Sequence, residues 1–118
     1  MDKVYEHINL DYLNMMADGD DEMKKVMLSM LFEEMPIELD KMSTECQAGN
    51  WEALSAICHK MKSTLSFIGN PQMTEANKTL EILSKTADDT DTYPGYIATL
   101  QEWLPKVKVE LQVVHDSI

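Results

Sequence analysis

The sequence predicts an all-α protein, built as an antiparallel four-helix bundle with a short N-terminal capping helix. Apolar residues recur every three or four positions along four long segments. Glycine, asparagine and proline stand where those segments would begin and end, and no stretch alternates in the manner of a β-strand. The 118 residues suit a single domain, which we expect to span 1–118.

The first two helices are predicted at residues 9–17 and 21–48. The acidic turn at 18–21 separates them and supplies an N-cap for the second helix. Pro36 lies inside the second helix and should kink it, because proline removes one backbone donor. The stripe of that helix that should face the core comprises Met23, Met27, Leu31, Met35, Leu39, Met42 and Cys46.

Two further helices are predicted at residues 51–68 and 71–87. Gly49 is a natural C-terminal stop and Asn50 a natural N-cap. The run at 69–71 repeats this pattern with glycine, asparagine and then proline, and proline fits the first position of a helix. These signals fix where the third helix begins and ends.

The last helix is predicted at residues 96–115, after an acidic loop at 88–95. Its apolar residues keep the three-and-four spacing of a helix that faces a core. Pro105 should kink or split it. Four long amphipathic helices with short connections favour an antiparallel bundle, which the helix at 9–17 would cap at one end.

Charge and composition exclude several classes of function. The 21 acidic and 10 basic side chains leave a net charge of −11, which disfavours nucleic acid and anionic lipid as partners. No apolar run approaches the roughly 20 residues of a membrane span, and the N-terminus lacks the pattern of a signal peptide, so we expect the cytoplasm. Cys46 and Cys58 form no metal motif and should be free thiols, and no metal site is expected.

The third helix carries the residue pattern that indicates chemistry. His59 shares one helical face with residues three, four and seven positions away. Most of these neighbours are small, which is unusual on a helix surface and leaves the imidazole open to a flat partner. They are Ser55, Ala56, Lys62, Ser63 and Ser66.

An open histidine beside a lysine meets the needs of a phosphohistidine. A neutral imidazole nitrogen is a competent nucleophile near neutral pH. A phosphoryl group adds close to two negative charges, and the ammonium of Lys62, one turn away, would offset part of them. Lys62 is therefore predicted to stabilise the phosphorylated form.

Residues 58–69 resemble the signature of the histidine-containing phosphotransfer (HPt) domain. The family has the phosphorylated histidine, a lysine three residues later, a small residue next, and a glycine ten residues after the histidine. The resemblance extends to the opening helix, the proline within the long second helix and the turn at 49–52. The matching residues here are His59, Lys62, Ser63, which stands where the family often has glycine, and Gly69.

The resemblance implies a phosphocarrier of a two-component phosphorelay rather than a stand-alone kinase. His59 would accept a phosphoryl group from a receiver-domain aspartate of a hybrid sensor kinase and pass it to the receiver of a response regulator. The chain would need no cofactor of its own, because Mg²⁺ would be held by the partner receiver. We expect a monomer.

Two other functions stay open on the sequence alone. An enzyme could use His59 as a general base, but that needs an orienting carboxylate, and no acidic residue lies three or four positions from His59. A helical adaptor could bind receivers without phosphotransfer, although such a protein would be expected to lose the histidine.

The receiver should dock on the face that the second and third helices form around His59. In-line transfer requires a flat rim, and small side chains provide one. We expect the rim to include Ser55, Ala56, Ser63, Ser66 and Gly69. Affinity should come from nearby apolar residues, and Leu28 and Phe32, which lie beside the main stripe of the second helix, are the candidates if they are exposed.

Overall fold

Every regular element that the computed structural model describes, over residues 5–118, is helical, which confirms the all-α prediction. None of these helices combines the length and the apolar character that crossing a membrane requires. The elements are α1 (Asp11–Ala17), α2 (Asp21–Gln47), α3 (Trp51–Ile68), α4 (Pro71–Thr86), a 3₁₀ turn (Thr90–Thr92) and α5 (Tyr93–Asp116).

The four long helices pack side by side around a common apolar core. Helix α3 packs against α2 and α4, and α5 packs against the same two helices, while α1 contacts α2 and α3. Burying each large apolar side chain contributes about 1.5–3 kcal/mol. Helix α3 packs against these neighbours with its core stripe, and the side of α3 opposite that stripe is exposed to solvent. The buried residues include Leu13, Leu28, Met35, Met42, Leu54, Met61, Leu65, Ile68, Met73, Leu80, Tyr93 and Leu100.

The core face of α2 differs from the predicted stripe at its N-terminal end. Met23 is exposed, whereas Leu28, which we had placed beside the stripe, is fully buried. Most steps of the predicted stripe are four residues long, and each advances about 40° beyond a full turn of a helix with 3.6 residues per turn. The stripe therefore rotates around α2, and its first member faces away from the core.

Neither internal proline interrupts its helix. Helix α2 continues through Pro36 and α5 continues through Pro105, so of the two outcomes predicted at Pro105, a kink or a split, the split does not occur. Helix α5 also begins at Tyr93, three residues earlier than predicted, because Pro94 occupies its first turn, where the missing N–H is no loss. The buried Tyr93 hydroxyl donates to backbone carbonyls of the preceding segment, 2.7 and 2.8 Å away, and ties this start to α4.

All three predicted N-cap residues precede their helices, and two of them make a capping hydrogen bond. The Oδ1 atom of Asp20 accepts the backbone N–H of Met23 at 3.1 Å. Asn70 caps α4 in the same way, accepting the N–H of Met73 at 2.9 Å. Asn50 precedes α3 as predicted, but its side chain makes no capping hydrogen bond.

Candidate functional site: the His59–Glu81 pair

The imidazole of His59 lies on the open face of α3. Leu54, Cys58, Met61 and Leu65 are buried and fix which side of α3 faces the core. His59 follows Cys58 directly and is therefore turned outward, with 73% of its side chain exposed. The helix thus presents the ring to solvent on a backbone that the core holds rigidly.

A carboxylate from the neighbouring helix binds one ring nitrogen of His59. The Nδ1 atom lies 2.9 Å from the Oε2 atom of Glu81 on α4, and the Glu81 side chain is only 7% exposed. An ionised carboxylate only accepts hydrogen bonds, so Nδ1 must carry the proton. In the neutral ring the lone pair then resides on Nε2, which makes Nε2 the nucleophilic atom.

The surroundings of Glu81 keep its carboxylate ionised. Burial acts to raise the pKa of Glu81, but the hydrogen bond from His59 and the charges of Lys85, protonated His59 and Lys62 outweigh it. The pKa of Glu81 therefore lies below its usual range. At neutral pH the carboxylate acts as the acceptor that the Nδ1–H tautomer requires.

Glu81 belongs to a polar seam where α4 packs against α3. Asn77, one turn before Glu81, donates from Nδ2 to the backbone carbonyl of Cys58 at 2.9 Å. Its Oδ1 atom is buried without a hydrogen-bond partner. Ser84 is also buried and donates to the backbone carbonyl of Glu81. In the sequence, the signal for this site is the helical spacing of Asn77, Glu81 and Ser84, which places three polar side chains on one side of α4.

A groove between α3 and α4 runs beside His59. Its volume is about 790 Å³. Small side chains of α3 leave it open, and Lys85 and the end of α4 form its other wall. Its lining comprises Trp51, Glu52, Ser55, Ala56, His59, Glu81, Ser84, Lys85, Thr86 and Ala87.

The lysines near His59 have different surroundings. Lys62 is exposed, and its charge helps to lower the pKa of Glu81, so it lies within electrostatic range of the pair. Lys60 turns toward α2 instead, where its Nζ atom is 3.1 Å from Oε1 of the buried Glu38. Of these two lysines, Lys62 is therefore the one whose charge acts on the His59–Glu81 pair.

The predicted small-residue rim is present in part. Ala56, Ser63 and Ser66 are exposed, and Ser66 donates its hydroxyl back to the carbonyl of Lys62. Ser55 is buried where α3 meets the groove, which corrects our placement of it on the exposed rim. Ser55 lies on the side of α3 that faces α4, and not on the side that is exposed to solvent.

Gly69 lies under the N-terminal segment and not on the open face. It ends α3 with a φ of +69°, and the N–H of Asn9 donates to the carbonyl of Ile68 beside it. A Cβ atom at residue 69 would lie 2.7 Å from the Cβ atom of Asn9. The structural need for glycine is therefore both a left-handed backbone and a close chain crossing.

The condition of exposure that we set for the two apolar docking candidates on α2 fails for Leu28 and is met only in part by Phe32. Leu28 is fully buried in the core. Phe32 is half-buried and packs its ring edge-on against His115 of α5, with ring centroids 5.8 Å apart. Neither side chain is presented on the face around His59.

Both cysteines are free, as expected. Cys58 is buried beside His59, and burial together with the charge of Glu81 raises its pKa to about 12. Its thiol therefore stays protonated, and a protonated thiol is a poor nucleophile. In the described part of the chain, the exposed nucleophile of this groove is the imidazole.

Comparison with known proteins places the chain in a family. The model of the Hpt domain family matches residues 26–110, so the chain belongs to the Hpt domain family. A search of curated protein sequences found no match. The match region contains His59, Lys62, Glu81 and Lys85.

Two solved structures share the fold. One is the histidine-containing phosphotransfer protein B (HptB) from Pseudomonas aeruginosa PAO1, with a TM-score of 0.86 and 17% identity over 98% of this chain and 99% of that one. The other is the HPT domain of an Hpt sensor hybrid histidine kinase from Shewanella, with a TM-score of 0.74 and 21% identity over 94% and 95%. At these identities the likeness concerns the fold.

Proposed function

We propose that this HPt domain is a phosphorelay intermediate that carries a phosphoryl group on Nε2 of His59. The observation that carries the proposal is the hydrogen bond from His59 Nδ1 to Glu81, because it leaves Nε2 as the nucleophile on an exposed ring. The donor would be a receiver-domain aspartyl phosphate of a hybrid histidine kinase. The acceptor would be the aspartate of a response-regulator receiver.

In each transfer one bond to phosphorus replaces another. Nε2 attacks the phosphorus of the aspartyl phosphate, the P–O bond to the aspartate breaks, and a P–Nε2 bond forms. The ring keeps its Nδ1 proton and gains positive charge, which the Glu81 carboxylate offsets. Onward transfer reverses these changes. Mg²⁺ would be bound by the receiver, and the chain itself would contribute no cofactor.

Lys62 is proposed to stabilise the phosphorylated form. Lys62 is exposed and stands one turn from His59, and its charge helps to lower the pKa of Glu81. Exposed ion pairs contribute about 0.2–1 kcal/mol. Such an energy biases the lifetime of the phosphohistidine without controlling whether transfer occurs.

The docking surface is proposed to run along α3 toward α1. His59, Ser63 and Phe67 follow one another at four-residue spacing, so they lie on successive turns of one side of α3. Phe67 packs against Tyr12 of α1, with ring centroids 5.1 Å apart, and Tyr12 is 40% exposed. This aromatic pair offers the apolar contact that we had expected from α2.

The proposal also includes the domain count, the helix topology, the compartment and the oligomeric state that the sequence predicts. We propose that the chain is one domain, that its four long helices form an antiparallel bundle capped by α1, and that it acts as a cytoplasmic monomer. The bundle is supported by the mutual packing of α2, α3, α4 and α5. Compartment and oligomeric state rest on the sequence reasoning above.

The Glu81 contact also favours a second candidate. An enzyme with His59 as general base needs an orienting carboxylate, and α4 supplies the one that α3 lacks. Such an enzyme would act on a substrate bound in the groove and would leave the histidine unphosphorylated. Formation of a phosphohistidine therefore distinguishes the two functions.

Phosphotransfer to variants in which one histidine is replaced tests the proposal. We expect a phosphorylated receiver to transfer acid-labile phosphate to the wild-type chain and none to His59→Gln. His7→Gln and His115→Gln are matched controls, because these rings pack against Trp103 and Phe32 instead of facing the groove. Normal transfer to His59→Gln would contradict the proposal.

A further inference from the structure

Glu81 binds two partners through a single oxygen. Its Oε2 atom lies 2.9 Å from Nδ1 of His59 and 3.6 Å from Nζ of Lys85. Lys85 stands one turn after Glu81 on α4, and 61% of its side chain is exposed, whereas Glu81 is buried. All three residues line the groove between α3 and α4.

From this geometry we infer that Lys85 is a positioning residue for phosphotransfer, holding the Glu81 carboxylate in the orientation that receives the Nδ1–H of His59. The inference rests on the proposed function for its consequence, but the geometric claim concerns the free chain. Lys85 acts through Glu81, and its contact is with the oxygen that selects the tautomer of the ring.

The reason that Glu81 needs this support is electrostatic. A buried carboxylate that faced only a neutral imidazole would be poorly compensated for its lost hydration. The side chains that act on it are His59 and Lys62 from α3, and Lys85 from α4. Among them, Lys85 supplies the permanent charge that lies in direct contact with Oε2.

Loss of Lys85 would change the site in two ways. A less restrained Glu81 would leave Nδ1 of His59 without its acceptor for part of the time, and the Nε2–H tautomer, whose Nε2 is not nucleophilic, would gain population. The charge of Lys85 also helps to lower the pKa of Glu81, so its loss would raise the pKa of that carboxyl group.

The first readout is the tautomer of His59 in the free chain. Nitrogen-15 NMR of the neutral ring should show the Nδ1–H form in wild type and in Lys85→Arg. Lys85→Met should show a larger Nε2–H fraction. This measurement requires no receiver.

Lys106→Met is the matched control. Lys106 forms the same kind of pair one turn from Glu102, at 3.8 Å, but on α5, so its removal takes away one charge without touching the groove. It should leave the tautomer unchanged. Circular dichroism should show equal helicity for all variants, because the Lys85 ammonium is exposed and its loss removes no core contact.

The second readout is transfer from a phosphorylated receiver. We expect Lys85→Met to slow transfer by about 1.4- to 5-fold and Lys85→Arg to restore it. A wild-type tautomer in Lys85→Met would overturn the inference, whether transfer is unchanged or is slowed by loss of a direct phosphate contact. A shifted tautomer with no phosphorylation of wild type by any receiver would sustain the role of Lys85 and contradict the proposed function instead.

Discussion

At residue 59 the ring nitrogen that carries the proton is selected by a side chain 22 residues away. An isolated neutral imidazole can carry its proton on either nitrogen, and only the Nε2 lone pair of the Nδ1–H form faces away from Glu81. The buried carboxylate removes this ambiguity before any partner arrives. In the transfer that we propose, preorganisation of this kind would avoid a proton rearrangement at the moment of transfer.

Lys62→Ala tests the second residue of the site. Its charge matters once two negative charges reside on the ring, so we expect a phosphohistidine lifetime or transfer rate lowered by about 1.4- to 5-fold and an unchanged fold. Lys108→Ala, an exposed lysine of α5, is the control for the loss of one charge. Equal kinetics for both variants would make Lys62 an ordinary surface charge.

The sequence was sufficient for some residues of the site and insufficient for others. His59, Lys62, Ser63 and Ser66 share one helix, so regular helical geometry predicted their common exposed side. Glu81 comes from another helix, and the rotation of α4 against α3 decides whether it meets His59 or solvent. The spacing of residues within one helix does not predict how that helix is rotated against its neighbour.

At the scale of the element, periodicity predicted the existence of helices better than the direction they face. Helix α2 is present over nearly the predicted range, but Leu28 is in its core and Met23 is outside. A stripe with a mean spacing above 3.6 residues rotates around a helix, whereas the neighbouring helices remain on one side. The error in the docking residues of α2 follows from this rotation.

The exposed side of α3 yields a prediction about docking. Ser63→Trp places a bulky ring one turn from His59 and should abolish transfer while the helicity is kept, because Ser63 is exposed and makes no core contact. Gln112→Trp adds the same ring to the outer side of α5 and should transfer normally. Normal transfer to Ser63→Trp would show that the receiver docks elsewhere.

At the scale of the whole molecule, charge and packing have separate consequences. The net charge of −11 disfavours contact with other anions and leaves little scope for electrostatic attraction to an acidic partner. We therefore expect affinity for such a partner to come from apolar contact beside His59, with Tyr12 and Phe67. Helix count and order followed from the sequence, whereas the pairing of helices that creates the groove required the structure.

In the phosphorylated form that we propose, the phosphoryl group resides on Nε2 of His59 while Nδ1 remains protonated toward Glu81. The most direct measurement is nitrogen-15 and phosphorus-31 NMR of histidine-labelled protein after phosphorylation by a receiver with Mg²⁺. We predict one phosphorylated ring, that of His59, with phosphorus coupled to Nε2 and a proton on Nδ1. Phosphorus on Nδ1, on another residue, or on no histidine at all would contradict the account.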